Sequence, residues 1–511
     1  MTTNNTVYGA PQPENKGSEA AETTSGASLE GWLINSRDWR GMAGTFAETQ
    51  FGTTPLIHYR GLFYRWIGTH YSTLEDGDIR AIVYEFLGSA YTLSQEPDEN
   101  GEMKTVRRRF YPDDRTVNKF IDALRSIVRV SGTIKAPAWM PAATEDDLAN
   151  DPADILPCRN GLLNLKTWQL LPHTPTFLSM NSVGYDYDPK AKAPTWEKFI
   201  RDVLPDPESR AALQQEFGYF VTNDTRQQKI FAHSGEKRSG KGTIASTLQL
   251  VIGTENVVHP TMTGLAQQFG MACLIDKRLA IVGDARLKGD TSELVSRFLT
   301  LSGEDDITVP RKNKDDWTGT LNVRFLINSN YAPEFSDDSG VIADRFILIR
   351  FLESFYGRED LTLRDRLAKE LPGILNWALE GLRALRENGC FTQPTNSAEL
   401  MEMMRFATSP ILKFIDDRLQ VGKELSDSRD HTHAAYKSWC IANDHKPMSK
   451  TKFDMALNKA LPSVTVARPG GRGGERERVY RGIRRYDADA LSKQPMGVVV
   501  PLASRVAAST G

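Results

Sequence analysis

Cysteine is scarce: the 511 residues hold only Cys158, Cys273, Cys390 and Cys440, far apart and with no C-x-x-C pair. That spacing excludes a zinc ribbon and a disulfide framework, and reduced, structural thiols are expected. His431 and His433, near Cys440, stand at a spacing poor for zinc and read as a polar start to a helix. An excess of one charge is also missing. The formal net charge is −2, so any positive charge offered to a nucleic acid must be local. No uninterrupted apolar run approaches the ~20 residues of a membrane helix, so no membrane partner is expected. Residues 1–31 are polar and lack the basic start and apolar core of a signal peptide. A disordered tail and a cytoplasmic protein follow as expectations. There is no internal repeat. The rest is an ordinary soluble composition, and the chain is long enough for several domains with cores of their own.

Patterning divides the chain. Residues 32–150 read as an N-terminal α+β domain. It opens on an aromatic-rich stretch, 58–71, that alternates like a hairpin, and helical patterns follow at 79–87 and 117–130. The Pro-rich, acidic stretch 136–155 reads as a linker, and 151–195 as linker plus a short β segment at 160–165. From 196 to 355, short apolar strands alternate with helices, as in a parallel α/β sheet. The expected strands are 230–233, 279–282, 323–327 and 346–351, whose continuous apolar character fits burial on both faces. A helical extension, 356–408, contains a long helical stretch at 361–386 that ends near Gly389. A last unit, 409–486, precedes a loose tail, 487–511.

The most informative segment is Gly235-Glu236-Lys237-Arg238-Ser239-Gly240-Lys241-Gly242-Thr243. It follows the apolar Ile230-Phe231-Ala232 and opens a pattern with Ile244, Leu248 and Val251 on one helical face. Strand, glycine loop and helix are the context a phosphate-binding loop needs. Backbone N–H groups and the helix N-terminus make a concave site of positive potential, and Lys241 would bridge the terminal phosphates. Gly242 stands where Ser or Thr commonly holds magnesium, and Thr243 is the nearest hydroxyl. Some nucleotide kinases share the Gly-Lys-Gly-Thr ending, so a small-molecule kinase stays in view.

Further pieces follow in order. The apolar run 279–283 ends in Asp284, which at the carboxyl edge of a parallel sheet would face the phosphates and bind magnesium or its water. The run 325–327 ends in Asn328-Ser329-Asn330; Asn330 could orient the attacking water or sense the γ-phosphate, with Asn328 its competitor. Arg345, at the start of the next strand, is the candidate arginine finger, with Arg350 in reserve. Between these strands, 302–314 reads as a hairpin with Lys312 and Lys314 near its tip. In a ring, such tips could line a pore and grip a strand's phosphates. In the last unit, 468–486 carries seven arginines, Arg476 and Arg478 among them, against Glu475 and Glu477, with glycine pairs between. A helix holding Tyr436, Trp439 and Cys440 precedes it. This reads as a winged helix whose basic β wing contacts DNA phosphates, which position without reading sequence.

In this order the motifs resemble those of superfamily 3 helicases, in particular the phage and plasmid primase-helicases with a poxvirus-type helicase module. The resemblance runs over 32–486 and rests on Tyr64-Arg65-Trp66, Asn160-Gly161-Leu162-Leu163, the loop 235–243, Asp284, the hairpin, Asn330 and Arg345. It implies an AAA+-like P-loop ATPase core assembling as a homo-hexameric ring. Such a ring would use ATP and Mg2+ to move along DNA and separate a forked duplex into single strands during replication. In that reading Lys241 holds the β/γ-phosphates, Thr243 and Asp284 the magnesium and Asn330 the water, while Arg345 acts in trans and Lys312 and Lys314 touch DNA. The family's magnesium strand often ends in two adjacent acids, but Ala285 follows Asp284 here, which leaves Glu304 or Asp305 as guesses for the base. Primase activity would need a strand-borne metal pair. The D-x-D triplet Asp76-Gly77-Asp78 falls in a polar turn before a helix. The rival functions are an origin initiator with little unwinding, a primase-helicase and a nucleotide kinase.

Overall fold

A computed structural model of the chain describes residues 31–283, 291–330, 335, 341–443, 445–467 and 478–486. Its described residues form two compact units, one of 31–50 with 76–127, the other of 51–75 with everything from 128 onward. The division cuts through the single 32–150 domain read from the sequence, because the aromatic hairpin packs with the second unit.

In the first unit, helices Trp39–Phe51, Asp76–Gly88 and Asp114–Ile127 accompany a sheet of Trp32–Leu33, Ala90–Pro97 and Met103–Arg109. Phe46 meets the Phe86 and Phe120 rings at 4.9 and 5.4 Å between centroids. Asp76 and Asp78 lie within the first helical turn, not in a turn ahead of it. There the carboxylates face the positive end of the helix dipole.

In the second unit, Leu56–Tyr59, Leu62–Trp66 and Tyr71–Leu74 form an antiparallel sheet, one strand more than the expected hairpin. The first turn, Arg60-Gly61, has positive φ at both residues (49° and 77°), which matches the strands' twist. The stretch read as linker is folded. Ala138–Trp139 pairs with Phe177–Leu178, and the Trp139 and Phe177 rings lie 4.7 Å apart. Ile155–Cys158, Gly161–Asn164 and Leu170–Leu171 form a sheet whose first two strands are wholly buried. Proline and acids mark the turns of this region, and its apolar residues fill the core.

The centre is a five-stranded, all-parallel sheet in the order Val257–Val258, Leu279–Gly283, Arg324–Ser329, Ile230–Gly235, Phe346–Phe351. The four expected strands are present within a residue or two. Alternation explains their unbroken apolarity. Phe231, Ile281, Leu326 and Ile347 enter one core with helices Pro207–Val221, Lys241–Ile252 and Leu371–Asn388. Ala232, Ala280, Ile327 and Leu348 enter another with helix Ser292–Ser302 and Trp317 of the hairpin Asp306–Arg311/Lys314–Thr320. Helices Pro207–Val221 and Leu371–Asn388 cross at Gly218 and Gly381, where their backbones nearly touch.

The last domain packs helices Pro410–Arg418, Arg429–Ala442 and Lys450–Ala460 around Phe414, Tyr436 and Phe453. His431 lies in the first turn of Arg429–Ala442, capped by the Ser428 side chain, whereas His433 is buried in the next turn with its Nε2 3.0 Å from the Met448 carbonyl oxygen. Its sheet runs Leu419–Ser428, Val479–Arg485, Thr465–Ala467, all antiparallel. Val479–Arg485 falls in the Arg-rich stretch read as a hairpin, of which 468–477 lie outside the described residues; Thr465–Ala467, its antiparallel partner, precedes that stretch, and the ten-residue Leu419–Ser428 is an additional strand. Cys158 and Cys440 are buried as expected, whereas Cys273 and Cys390 are exposed. Among the described residues no helix is long and apolar enough to cross a membrane. The whole is a mixed α/β fold.

Candidate functional site

Strand Ile230–Gly235 runs into the glycine loop, and helix Lys241–Ile252 starts directly after it. Two glycines make the turn possible. A Cβ on Gly235 would lie 2.3 Å from the Phe351 carbonyl oxygen. Gly240 has φ 91° and lies under Val203, whose Cγ1 would be 2.8 Å from a Cβ. Arg238 is held at φ 62°, unusual for a residue with a side chain. The Phe355 N–H donates to its carbonyl at 2.9 Å, and the Ser354 hydroxyl to the Lys237 carbonyl at 3.1 Å. The segment after strand Phe346–Phe351 therefore pins the loop.

Gly240 caps the helix without a side-chain hydrogen bond, so the first-turn amides point their dipole outward. They open on a cavity of about 940 Å³ lined by residues 237–243 and by Asn330. Lys198, Lys237, Arg238, Lys241, Arg358 and Arg366 outnumber Asp202, Glu359 and Asp360 around it, so the cavity suits an anion. The Lys241 ammonium folds back on its own loop, donating to the carbonyls of Gly235 (2.6 Å) and Glu236 (2.7 Å) and to the Ser239 hydroxyl (3.1 Å). Burial pulls its pKa below the ordinary lysine value. These are weak neutral partners that an anionic oxygen would replace. Behind the loop strand, His233 Nε2 and Glu216 Oε2 lie 2.9 Å apart, both fully buried.

The other sequence candidates separate. Asp284 and Arg476 lie outside the described residues. The strand before Asp284 ends at Gly283, in register with Asn328. Arg345 precedes Phe346 at the amino edge of the sheet, opposite the loop, where its guanidinium donates to the Gln228 side chain. Arg350 faces Glu399 at 3.9 Å. Glu304 is not near the loop: it accepts from the Thr225 hydroxyl and lines a separate cavity of about 330 Å³ with Asn223 and Arg278. The guess of Glu304 as base is thus corrected, because residues 223–225 precede the loop strand and lie at its far end. Lys312 is exposed in the hairpin turn; Lys314 starts the returning strand, 3.5 Å from Glu75. Arg478 is exposed just before strand Val479–Arg485.

Sequence reasoning missed the cavity's remaining wall. Thr195, Lys198, Phe199, Asp202 and Val203 come from helix Pro194–Val203, and Phe355, Arg358, Asp360, Leu363 and Arg366 from the chain after the sheet. No local pattern marks them, since the fold assembles them from segments over 150 residues apart.

The fold is thus a mixed α/β protein in which a glycine loop at the carboxyl end of a parallel strand faces a cavity where cationic side chains outnumber anionic ones. Residues 46–205 match a family described as D5 N terminal like, and 408–470 match the poxvirus D5 protein-like family. Residues 233–345 match a family of unknown function (DUF5906). The two D5 matches support the phage- and poxvirus-type primase-helicase family for this chain. Two solved structures of the NrS-1 C-terminal region are similar at 13% and 12% identity. Each covers 86% of this chain and 98% of its own, with TM-scores of 0.45 and 0.43, too distant to bear on the chemistry.

Proposed function

We propose that the protein is an ATP- and Mg2+-dependent replicative DNA helicase: an AAA+-like P-loop ATPase that works as a homo-hexameric ring, with a C-terminal winged-helix domain. The observation that carries this is the uncapped start of helix Lys241–Ile252, opening into the cation-rich cavity with Lys241 and Asn330 on its wall. Triphosphate oxygens would take over the ammonium's bonds to Gly235 and Glu236 and accept from the loop amides. Among the described residues no cluster of His, Cys, Asp or Glu could hold a metal alone. A magnesium carried by the triphosphate needs only one or two protein oxygens, and Thr243 and Asp284 are the candidates. When bound, that ion would neutralise charge between the β- and γ-oxygens. Asn330 would orient the attacking water.

Arg345 stands at the sheet edge away from the loop, so a role for it in hydrolysis requires a neighbouring subunit's site. A finger acting in trans would meet that requirement. Lys312, exposed at the hairpin turn, and Lys314 beside it would touch DNA in the ring's pore. The order of helices and strands from Pro410 to Arg485 supports the winged-helix reading, in which Arg476 and Arg478 are the proposed DNA contacts.

The deciding experiment measures ATP hydrolysis with and without single-stranded DNA, and unwinding of a forked duplex, for wild type and Lys241→Ala. DNA-stimulated hydrolysis with unwinding, both lost in the variant, is expected. Hydrolysis absent or indifferent to DNA, with DNA binding intact, would instead support an origin initiator. The observation favouring that second reading is Ala285, in the position of the second acid.

A further inference from the structure

The loop accounts for only one side of the cavity. The lining is also apolar in part: Phe199 and Phe355 are both half-buried, with Val203 and Leu363 in the same lining. Phe199 is backed by Trp196, ring centroids 5.9 Å apart, and Trp196 by Trp377 at 5.3 Å and Phe217 at 5.1 Å. That aromatic stack fixes Phe199 from behind. Its Cζ lies 3.4 Å from where a Cβ on Gly240 would be, so the ring borders the phosphate loop itself. Phe355 is held by its N–H bond to the Arg238 carbonyl, and the Arg358 guanidinium lies 5.4 Å from its ring centroid. Polar groups stand at the margin: the Thr195 hydroxyl, and Lys198 paired with Asp202 at 2.8 Å.

An inorganic phosphate or polyphosphate would have no use for two aromatic faces beside its site. From the lining we infer that the Phe199/Phe355 wall is the seat of the nucleobase, making the ligand a nucleoside triphosphate held by base stacking as well as by its phosphates. This rests on the nucleotide reading of the loop and adds residues that the loop motif does not contain. Aromatic stacking tolerates every base because each has a π face. The wall therefore supplies affinity, and selection among bases falls to Asp202 and Thr195, whose oxygens can accept from an exocyclic amine.

The test is equilibrium binding of a fluorescent ATP analogue to the full chain, with ATP and, separately, inorganic tripolyphosphate as competitors. Wild type, Phe199→Ala, Phe199→Leu and Lys241→Ala are compared. Phe199→Ala is expected to weaken ATP by about tenfold, the lower part of the range for losing one stacked base, and to leave tripolyphosphate within about twofold. Phe199→Leu keeps the apolar volume without the π face, so a folded Leu variant carries the test if the Ala variant melts early. Lys241→Ala is expected to weaken both competitors. Equal weakening of ATP and tripolyphosphate by the Phe199 variants, or no weakening, would overturn the base seat while leaving the loop reading intact. Failure of wild type to bind either competitor would overturn the nucleotide reading, and the base seat with it.

Discussion

Replacing Gly381 by alanine pits two effects of opposite sign against each other. Gly381 lies inside helix Leu371–Asn388, where alanine gains about 1 kcal/mol of helix propensity. Yet a Cβ there would stand 2.1 Å from the Gln214 carbonyl oxygen and 2.3 Å from its carbon, both main-chain atoms of helix Pro207–Val221. Across the same crossing, a Cβ on Gly218 would stand 2.4 Å from the Leu382 nitrogen and 2.5 Å from the Ala378 oxygen. No rotamer relieves a clash with backbone, so the helices must separate by about an ångström, a gap that forfeits a quarter to a half of each dispersion contact. Overpacking costs about 1–3 kcal/mol or more, and a backbone clash belongs at the upper end. The clash wins, with a net loss of about 2 kcal/mol, or about 4–8 °C in Tm for a domain of this size. Thermal melts at one scan rate would measure it. Gly77→Ala is the control, because no heavy atom lies within 4 Å of its Cβ position, so its Tm should hold or rise. Gly218→Ala should resemble Gly381→Ala, and the double variant should lose less than the sum, since one separation accommodates both methyls. A Gly381→Ala protein that melts at or above wild type would refute the argument. The separation should also reach the loop, because the first helix carries Glu216, the partner of His233 on the loop strand.

Arg345→Ala should bind nucleotide normally and lose hydrolysis. Mixing it with Lys241→Ala, itself inactive, should restore part of the rate, since some interfaces then join an intact loop to an intact arginine; no recovery in exchanging mixtures would rule out action in trans. Asp276 has φ 59°, accepts from the Tyr64 hydroxyl at 2.7 Å, and has its carboxyl pKa raised by burial. A carboxyl raised above its unfolded value of about 3.9 loses native stability as pH climbs from there through the folded pKa. Asp276→Asn removes that charge, keeps an acceptor and suits a left-handed backbone. It should therefore melt higher than wild type at pH 8, with the gap closing toward pH 4; a pH-independent difference would contradict the assignment. In the last domain, burial pushes the Asp454 carboxyl up, but bonds from Arg429 and Tyr480 outweigh it and hold the pKa below the ordinary value. The stability it contributes is present above the unfolded pKa and lost as pH falls through the folded one. Asp454→Asn should accordingly destabilise near neutral pH and matter little in strong acid, as a circular-dichroism melt series would read.

The sequence by itself determined whatever depends on neighbours along the chain. The loop 235–243 was legible because its geometry is local: glycines where backbone meets backbone, then a helix that starts on the next residue. The four long sheet strands were legible because burial on both faces makes them mostly apolar, with His233 and Arg324 among the exceptions. The Arg-rich hairpin in the last domain was legible for its basic charge. Tertiary structure decided the rest. Leu419–Ser428 reads Leu-Gln-Val-Gly-Lys-Glu-Leu-Ser-Asp-Ser, too polar to announce a strand, and as an edge strand it needs only the hydrogen bonds of Val479–Arg485. Residues 136–155 have a linker's composition and still fold, since their few apolar side chains find partners farther along the chain. Strand order, which sequence spacing does not encode, set the strand before Asn330 beside the loop strand, while the parallel direction left Arg345, at a strand start, on the opposite edge. Phe199 and Phe355 share one cavity only because two segments meet at the loop, one at Gly240 and one at Arg238, and the Gly218–Gly381 crossing exists only because two helices pack. A residue's conformation follows from its own φ, ψ and its neighbours; its partners are chosen by the packing of the whole.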